Sequence, residues 1–155
     1  MSRETSILFV CTGNICRSPT AEAVAKALAQ KAEKNLVLDS AGTGDWHVGE
    51  RPDPRAIQAA QARGYDLSSI TARAVTDDDF IRFDHLVAMD EGHRRWLAEA
   101  RSSRQLPETK ISLLMDWSVG LARTSIPDPY YGDETDFERV LDLIEKGCQG
   151  LVSRV

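Results

Sequence analysis

The sequence predicts an α/β fold: a single domain in which a four-stranded parallel sheet carries helices on both faces. Three observations predict it. Four short runs of strand-forming residues alternate with segments of helical period, the pattern of a parallel sheet covered by helices. The 155 residues suit one domain spanning 1–155 and are enough to bury a core. No repeat, low-complexity tract or linker divides the chain.

Ile7-Leu8-Phe9-Val10 is short, apolar and rich in strand formers, so it reads as a buried strand. Ser18-Pro19 opens a helix, with Ser able to cap and Pro favoured at the first helical position. Ala21, Val24, Leu28 and Ala32 continue it as an apolar stripe to about Lys34. Leu36-Val37-Leu38 is the second strand, ending at Ser40-Ala41-Gly42, and a glycine-rich loop then carries Trp46. Pro54 to Arg63 is a helix stopped by Gly64. Thr76 followed by Asp79 resembles a capping box and starts a short helix to about Arg82. His85 to Met89 is the third strand, Glu91 to Arg101 a helix, and Lys110 to Leu114 contains the fourth strand. After an irregular stretch through Ile126-Pro127-Asp128-Pro129-Tyr130-Tyr131-Gly132, Phe137, Val140, Leu141 and Ile144 mark a final helix.

The formal net charge of -5 argues against nonspecific binding to nucleic acid or membranes, which favours basic surfaces. No apolar run approaches a membrane span. Met1-Ser2-Arg3-Glu4-Thr5 has mixed charge, and the apolar run after it is too short for a signal-peptide core. A cytoplasmic location is expected. Three cysteines are an odd number without zinc-like Cys/His spacing, so neither a disulfide framework nor a metal site is expected.

Folds of this class bind ligands at the carboxyl ends of their strands. Cys11 stands at that end of the first strand, in Cys11-Thr12-Gly13-Asn14-Ile15-Cys16-Arg17-Ser18. Backbone N–H groups in a tight loop converge on an anion, and the following helix adds unpaired donors and partial positive charge. Gly13 and Asn14 tolerate unusual backbone angles. Arg17 supplies a planar fork for phosphate. The same field stabilises a thiolate at Cys11. A lower pKa also weakens the nucleophile, with a Brønsted slope of about 0.4–0.5. Holding the phosphoryl oxygens in the transition state therefore contributes more to the rate than thiolate population does. Ser18 either donates a hydrogen bond to the thiolate or caps the helix.

The run from Val10 to Pro19 resembles the signature of low-molecular-weight protein-tyrosine phosphatases. The resemblance extends through Ser40-Ala41-Gly42-Thr43, Phe83-Asp84, Met89-Asp90 and Asp128-Pro129-Tyr130-Tyr131. It implies a four-stranded parallel sheet and catalysis without metal or cofactor. Cys11 would attack phosphorus and form a phosphocysteine. Asp128 would protonate the leaving phenol and then activate water. Thr12, Gly13, Asn14, Ile15, Cys16, Arg17 and Ser18 would bind the phosphate, with Asn14, Ser18 and Ser40 holding the loop in shape. Trp46, Tyr130 and Tyr131 match positions around the pocket mouth. The partner implied is a phosphotyrosine-containing protein or peptide, with phosphate and other oxyanions as further ligands. In two places the chain departs from the pattern. Ile70 replaces a histidine that supports the loop in many relatives. His93 replaces a frequent asparagine and is expected to be an exposed helix residue, while His47 and His85 read as loop and strand residues.

Related arsenate reductases need further cysteines to relay a disulfide, and Asp77 to Met89 contains none. Protein-arginine phosphatases typically carry threonine at the position of Ile15 and lack the paired tyrosines, so Ile15 and Tyr130 favour phosphotyrosine. A binding-only module would usually have lost Cys11 or Asp128. The resemblance also suggests a reversible Cys11–Cys16 disulfide that protects the nucleophile from overoxidation.

Overall fold

The computed structural model describes residues 4–155; Met1-Ser2-Arg3, part of the mixed-charge start, lie outside them. Strand β1, Thr5–Cys11, is longer than its apolar centre and is buried from Ser6 onward. Helix α1, Arg17–Lys31, follows the loop. Strand β2, Leu36–Gly42, continues beyond Leu38. Helix α2, Pro54–Ala62, has Pro at its start and Asp53 as its cap, whose side chain accepts from the Arg55 amide. Gly64 ends this segment at φ +88, a left-handed angle that costs glycine little.

Helix α3, Asp79–Arg82, leads into β3, His85–Ala88. Asp79 accepts from the Thr76 amide at 2.8 Å, but the cap position is Asp78, without a side-chain cap bond, so Thr76 and Asp79 make only half of the expected capping box. Helix α4, Glu91–Ser103, precedes β4, Lys110–Leu113. Leu114 lies beyond β4, in a 3₁₀ turn Leu114–Trp117. The last helix, α5, spans Glu134–Arg154 and is capped reciprocally by Asp133 and Asp136.

The strands lie in the order β2-β1-β3-β4, and every pairing is parallel. Side chains alternate across β1. Ile7, Phe9 and Cys11 belong to the core shared with Val24 of α1 and Leu141 and Ile144 of α5. Leu8 and Val10 face the opposite core, with Phe80, Phe83 and Leu97. Burial on both faces explains the unbroken apolar run. It also fixes register, since a one-residue slip would send Cys11 to the other face.

Candidate active site

The loop between β1 and α1 is shaped from outside. Its carbonyls accept from neighbours: Cys11 from the Thr43 amide at 2.8 Å, Thr12 from Gly44 at 2.9 Å and Ile15 from Asp53 at 2.8 Å. The Thr20 hydroxyl donates to the Cys16 carbonyl at 2.6 Å. Among the described residues, the amides of Gly13, Asn14, Ile15 and Cys16 donate to no protein acceptor. These donors and the first turn of α1 line a concavity of the kind that can hold an anion. Glycine is required where β2 meets this loop, because a Cβ on Gly42 would lie 2.6 Å from the Thr12 carbonyl oxygen.

Asn14 is fully buried at φ 57. Its Nδ2 donates to Ser18 Oγ at 2.7 Å, and its Oδ1 accepts from the Arg73 amide at 3.0 Å. Ser18 Oγ is 2.9 Å from Cys11 Sγ. The Ala41 carbonyl, 3.5 Å away, is the other acceptor within reach of the Ser18 hydroxyl. A thiolate can only accept, so opposite a thiolate the Ser18 proton points at the sulfur, the nearer partner. The helix cap position is Cys16, without a side-chain cap bond.

The Arg73 amide supports the loop at Asn14. Arg73 is itself fixed by Asp39 at 3.0 Å and by buried Asp79 at 2.9 Å. Ile70 packs in the apolar cluster that contains Cys16. Among the described residues Ser40 makes no hydrogen bond to the loop: its hydroxyl donates to buried Glu22 on α1 at 2.7 Å. The support expected of it is thus corrected to support of the helix that follows the loop.

Arg17 is buried, and its Nη1 donates to Asp90 at 2.8 Å and to the Ile126 carbonyl at 2.9 Å. Its Nη2 stands 3.7 Å from Asp128 Oδ2. One side of the fork is thus anchored while the other faces Asp128. The Asp128 side chain is half exposed, and its Oδ1 accepts from the Tyr130 amide at 3.0 Å. Burial tends to raise the Asp90 carboxyl, but hydrogen bonds from Arg17 and the His93 amide outweigh it and hold Asp90 below its usual range.

His93 is not an exposed helix residue. It is 5% exposed and completes a capping box with Asp90 at the start of α4. The Asp90 amide donates to Nδ1 at 3.3 Å, which places the ring proton on Nε2, 2.8 Å from Thr12 Oγ1. Burial first, then the charge of Arg17, pushes His93 down to about 4. The ring is therefore neutral, and the 3.1 Å approach of Nδ1 to Asp90 Oδ1 is not an ion pair. Sequence reasoning missed this link between α4 and the loop. The spacing of Asp90 and His93 was the available signal, because it fits a capping box.

One cleft is lined by Cys11, Thr12, Gly13, Ile15, Cys16 and Arg17 below, with Trp46, His47, Asp128, Tyr130 and Tyr131 around its mouth. Trp46 is 71% exposed, Tyr131 95% and Tyr130 37%. His47, read from sequence as a loop residue, joins the wall. Its Cδ2 lies so close over Gly13 that a Cβ there would approach it to 2.8 Å. Cys16 is buried, and burial followed by the charge of Asp53 pushes its thiol up. His85 lies on β3 as expected, against Trp117 at the site-distal end of the strand.

The family model described as low molecular weight phosphotyrosine protein phosphatase matches residues 6–155. A phosphatase of that description from Sus scrofa is 40% identical over 152 residues, covering 97% of this chain and 95% of the relative. A crystal structure of a protein tyrosine phosphatase from Entamoeba histolytica, with Hepes in its active site, superposes with a TM-score of 0.88 at 38% identity. That match covers 97% of this chain and 96% of the other. A Drosophila arginine phosphatase superposes with a TM-score of 0.89 at 32% identity, covering 95% of each chain.

Proposed function

Because this chain belongs to the low molecular weight phosphotyrosine protein phosphatase family, we propose that Cys11, Arg17 and Asp128 hydrolyse phosphotyrosine through a phosphocysteine intermediate. The reaction class is that of a phosphoric monoester hydrolase, a protein-tyrosine phosphatase.

The observation that carries this reading is the position of Cys11 Sγ, 2.9 Å from Ser18 Oγ, at the base of a loop whose amides find no acceptor among the described residues. The Ser18 proton and the start of α1 stabilise a thiolate there. The loop amides and Arg17 hold the three phosphoryl oxygens, where charge spreads in the transition state. The sulfur attacks phosphorus as the bond to the aryl oxygen breaks, and Asp128 gives its proton to that oxygen. Water then loses a proton to Asp128 and attacks the same phosphorus. The sulfur–phosphorus bond breaks, phosphate leaves and the Cys11 thiolate returns. Cys11→Ser is expected to abolish p-nitrophenyl phosphate turnover while still binding phosphate; turnover at the native rate would exclude this mechanism.

Phosphotyrosine is favoured over phosphoarginine by side chains, since the Drosophila arginine phosphatase matches the backbone equally well. Ile15 lines the cleft with Trp46 and Tyr130, an apolar wall suited to a phenyl ring. Kinetics on paired phosphotyrosine and phosphoarginine peptides test this, and a preference for phosphoarginine would overturn it.

The partners of this reading are phosphotyrosine proteins or peptides and free oxyanions, in the cytoplasm, without nucleic acid or membrane. Among the described residues no helix is long and apolar enough to cross a membrane. A protective disulfide completes it. The Cys16 thiol condenses with a Cys11 sulfenic acid formed by peroxide, releasing water. Cys16→Ser should make peroxide inactivation poorly reversible by dithiothreitol, whereas recovery equal to native would remove the disulfide.

A further inference from the structure

The nucleophile and the acid belong to different segments, and Arg55 and Asp53 together link them. Arg55, near the start of α2, is absent from the cleft lining. Its Nη2 donates to the Tyr130 carbonyl at 2.8 Å and its Nη1 to the Gly132 carbonyl at 3.3 Å. Its Nε and Nη2 also donate to Asp53, at 3.2 and 3.0 Å. The guanidinium lies over Phe137 at 4.7 Å and near the Tyr130 ring at 5.7 Å. Asp53 aims it and is itself fixed, because its amide donates to the Ile15 carbonyl at 2.8 Å. A continuous path therefore runs from the phosphate loop through Asp53 and Arg55 to the acid loop.

The acid loop is held at one residue, Tyr130, from two directions. The Tyr130 amide donates to Asp128 at 3.0 Å, while the Tyr130 carbonyl accepts from Arg55. We propose that Arg55 is a positioning residue that sets the Asp128 carboxyl at the leaving oxygen by bracing the acid loop against the phosphate loop. Only a planar fork reaches two carbonyls and a carboxylate together; an ammonium is a point donor that cannot keep this geometry. Arg55 acts through Asp128 and touches no substrate. The inference rests on Asp128 being the acid.

The test compares phenyl phosphate, whose leaving group needs a proton, with p-nitrophenyl phosphate, whose leaving group needs it less. Arg55→Lys should lower kcat/KM for phenyl phosphate by about tenfold, since small misplacement of a catalytic group costs up to about 100-fold. The loss with p-nitrophenyl phosphate should be clearly smaller, and the inhibition constant of inorganic phosphate should stay close to native. In an Asp128→Asn background the further loss from Arg55→Lys should vanish, as coupling through one group requires. Asp53→Asn, which keeps the shape but removes the carboxylate that aims the guanidinium, should show the same leaving-group dependence and covers the case where Arg55→Lys folds poorly. Equal losses on both substrates, or a loss that persists undiminished with Asp128→Asn, would overturn the proposal while leaving Asp128 as the acid. Native phenyl phosphate turnover by Asp128→Asn alone would instead remove the acid assignment, and the role of Arg55 with it.

Discussion

Asn14 Nδ2 donates to Ser18 Oγ at 2.7 Å, and the same oxygen lies 2.9 Å from Cys11 Sγ. A thiolate only accepts, so opposite the thiolate the Ser18 hydroxyl donates to sulfur rather than to the Ala41 carbonyl, 3.5 Å away.

Ser18→Ala removes a donor to a charged sulfur, an interaction worth about 1.5–3 kcal/mol. Alkylation of Cys11 by iodoacetate at neutral pH is expected to slow by roughly tenfold, and an unchanged rate would mean that the proton points elsewhere.

Gly42→Ala is expected to damage the anion site without touching a ligand. The added methyl would lie 2.6 Å from the Thr12 carbonyl oxygen and 3.1 Å from the Asn14 amide nitrogen. Both are backbone atoms, so the loop itself has to move, at a cost of about 1–3 kcal/mol. Weaker inhibition by inorganic phosphate is the expected result.

His93 makes stability depend on pH. Its folded pKa, about 4, lies below the unfolded value of about 6.5. Between these values the unfolded chain binds the extra proton, so stability is lost as pH falls from about 6.5 towards 4. The full loss from this residue is about 3 kcal/mol. His93→Asn keeps a polar side chain without the titration, and denaturant melts from pH 4 to 7 should show a flatter profile than native.

Trp46→Ala tests the aromatic mouth. Trp46 is 71% exposed, so its loss should scarcely change stability. KM for phosphotyrosine peptides is expected to rise several-fold, roughly 1 kcal/mol of lost ring contact. Inhibition by inorganic phosphate, which has no ring, should be unchanged.

The phosphate loop was legible because its chemistry is local: Gly13, Asn14, Arg17 and Ser18 lie within a few residues of Cys11. The strands were legible from burial, with β2 the least regular in pattern. It is an edge strand, so half-exposed Asp39 interrupts its apolar pattern although pairing continues to Gly42. The role of His93 was hidden because its partner, Thr12, is 81 residues away. A polar residue on a helix looks the same in sequence whether it faces solvent or another loop. The Arg73 amide that supports Asn14 left no trace at all, since every residue except proline offers that donor. Arg55 was hidden for a related reason: its acceptors on the acid loop are backbone carbonyls.

The central claim is that phosphate passes through Cys11. Mixing the enzyme with a phosphotyrosine peptide, quenching during turnover and mapping phosphate by mass spectrometry tests it directly. The predicted result is a transient phosphate on Cys11 that decays as inorganic phosphate appears. Steady release of phosphate with Cys11 never labelled, at any quench time, would contradict it.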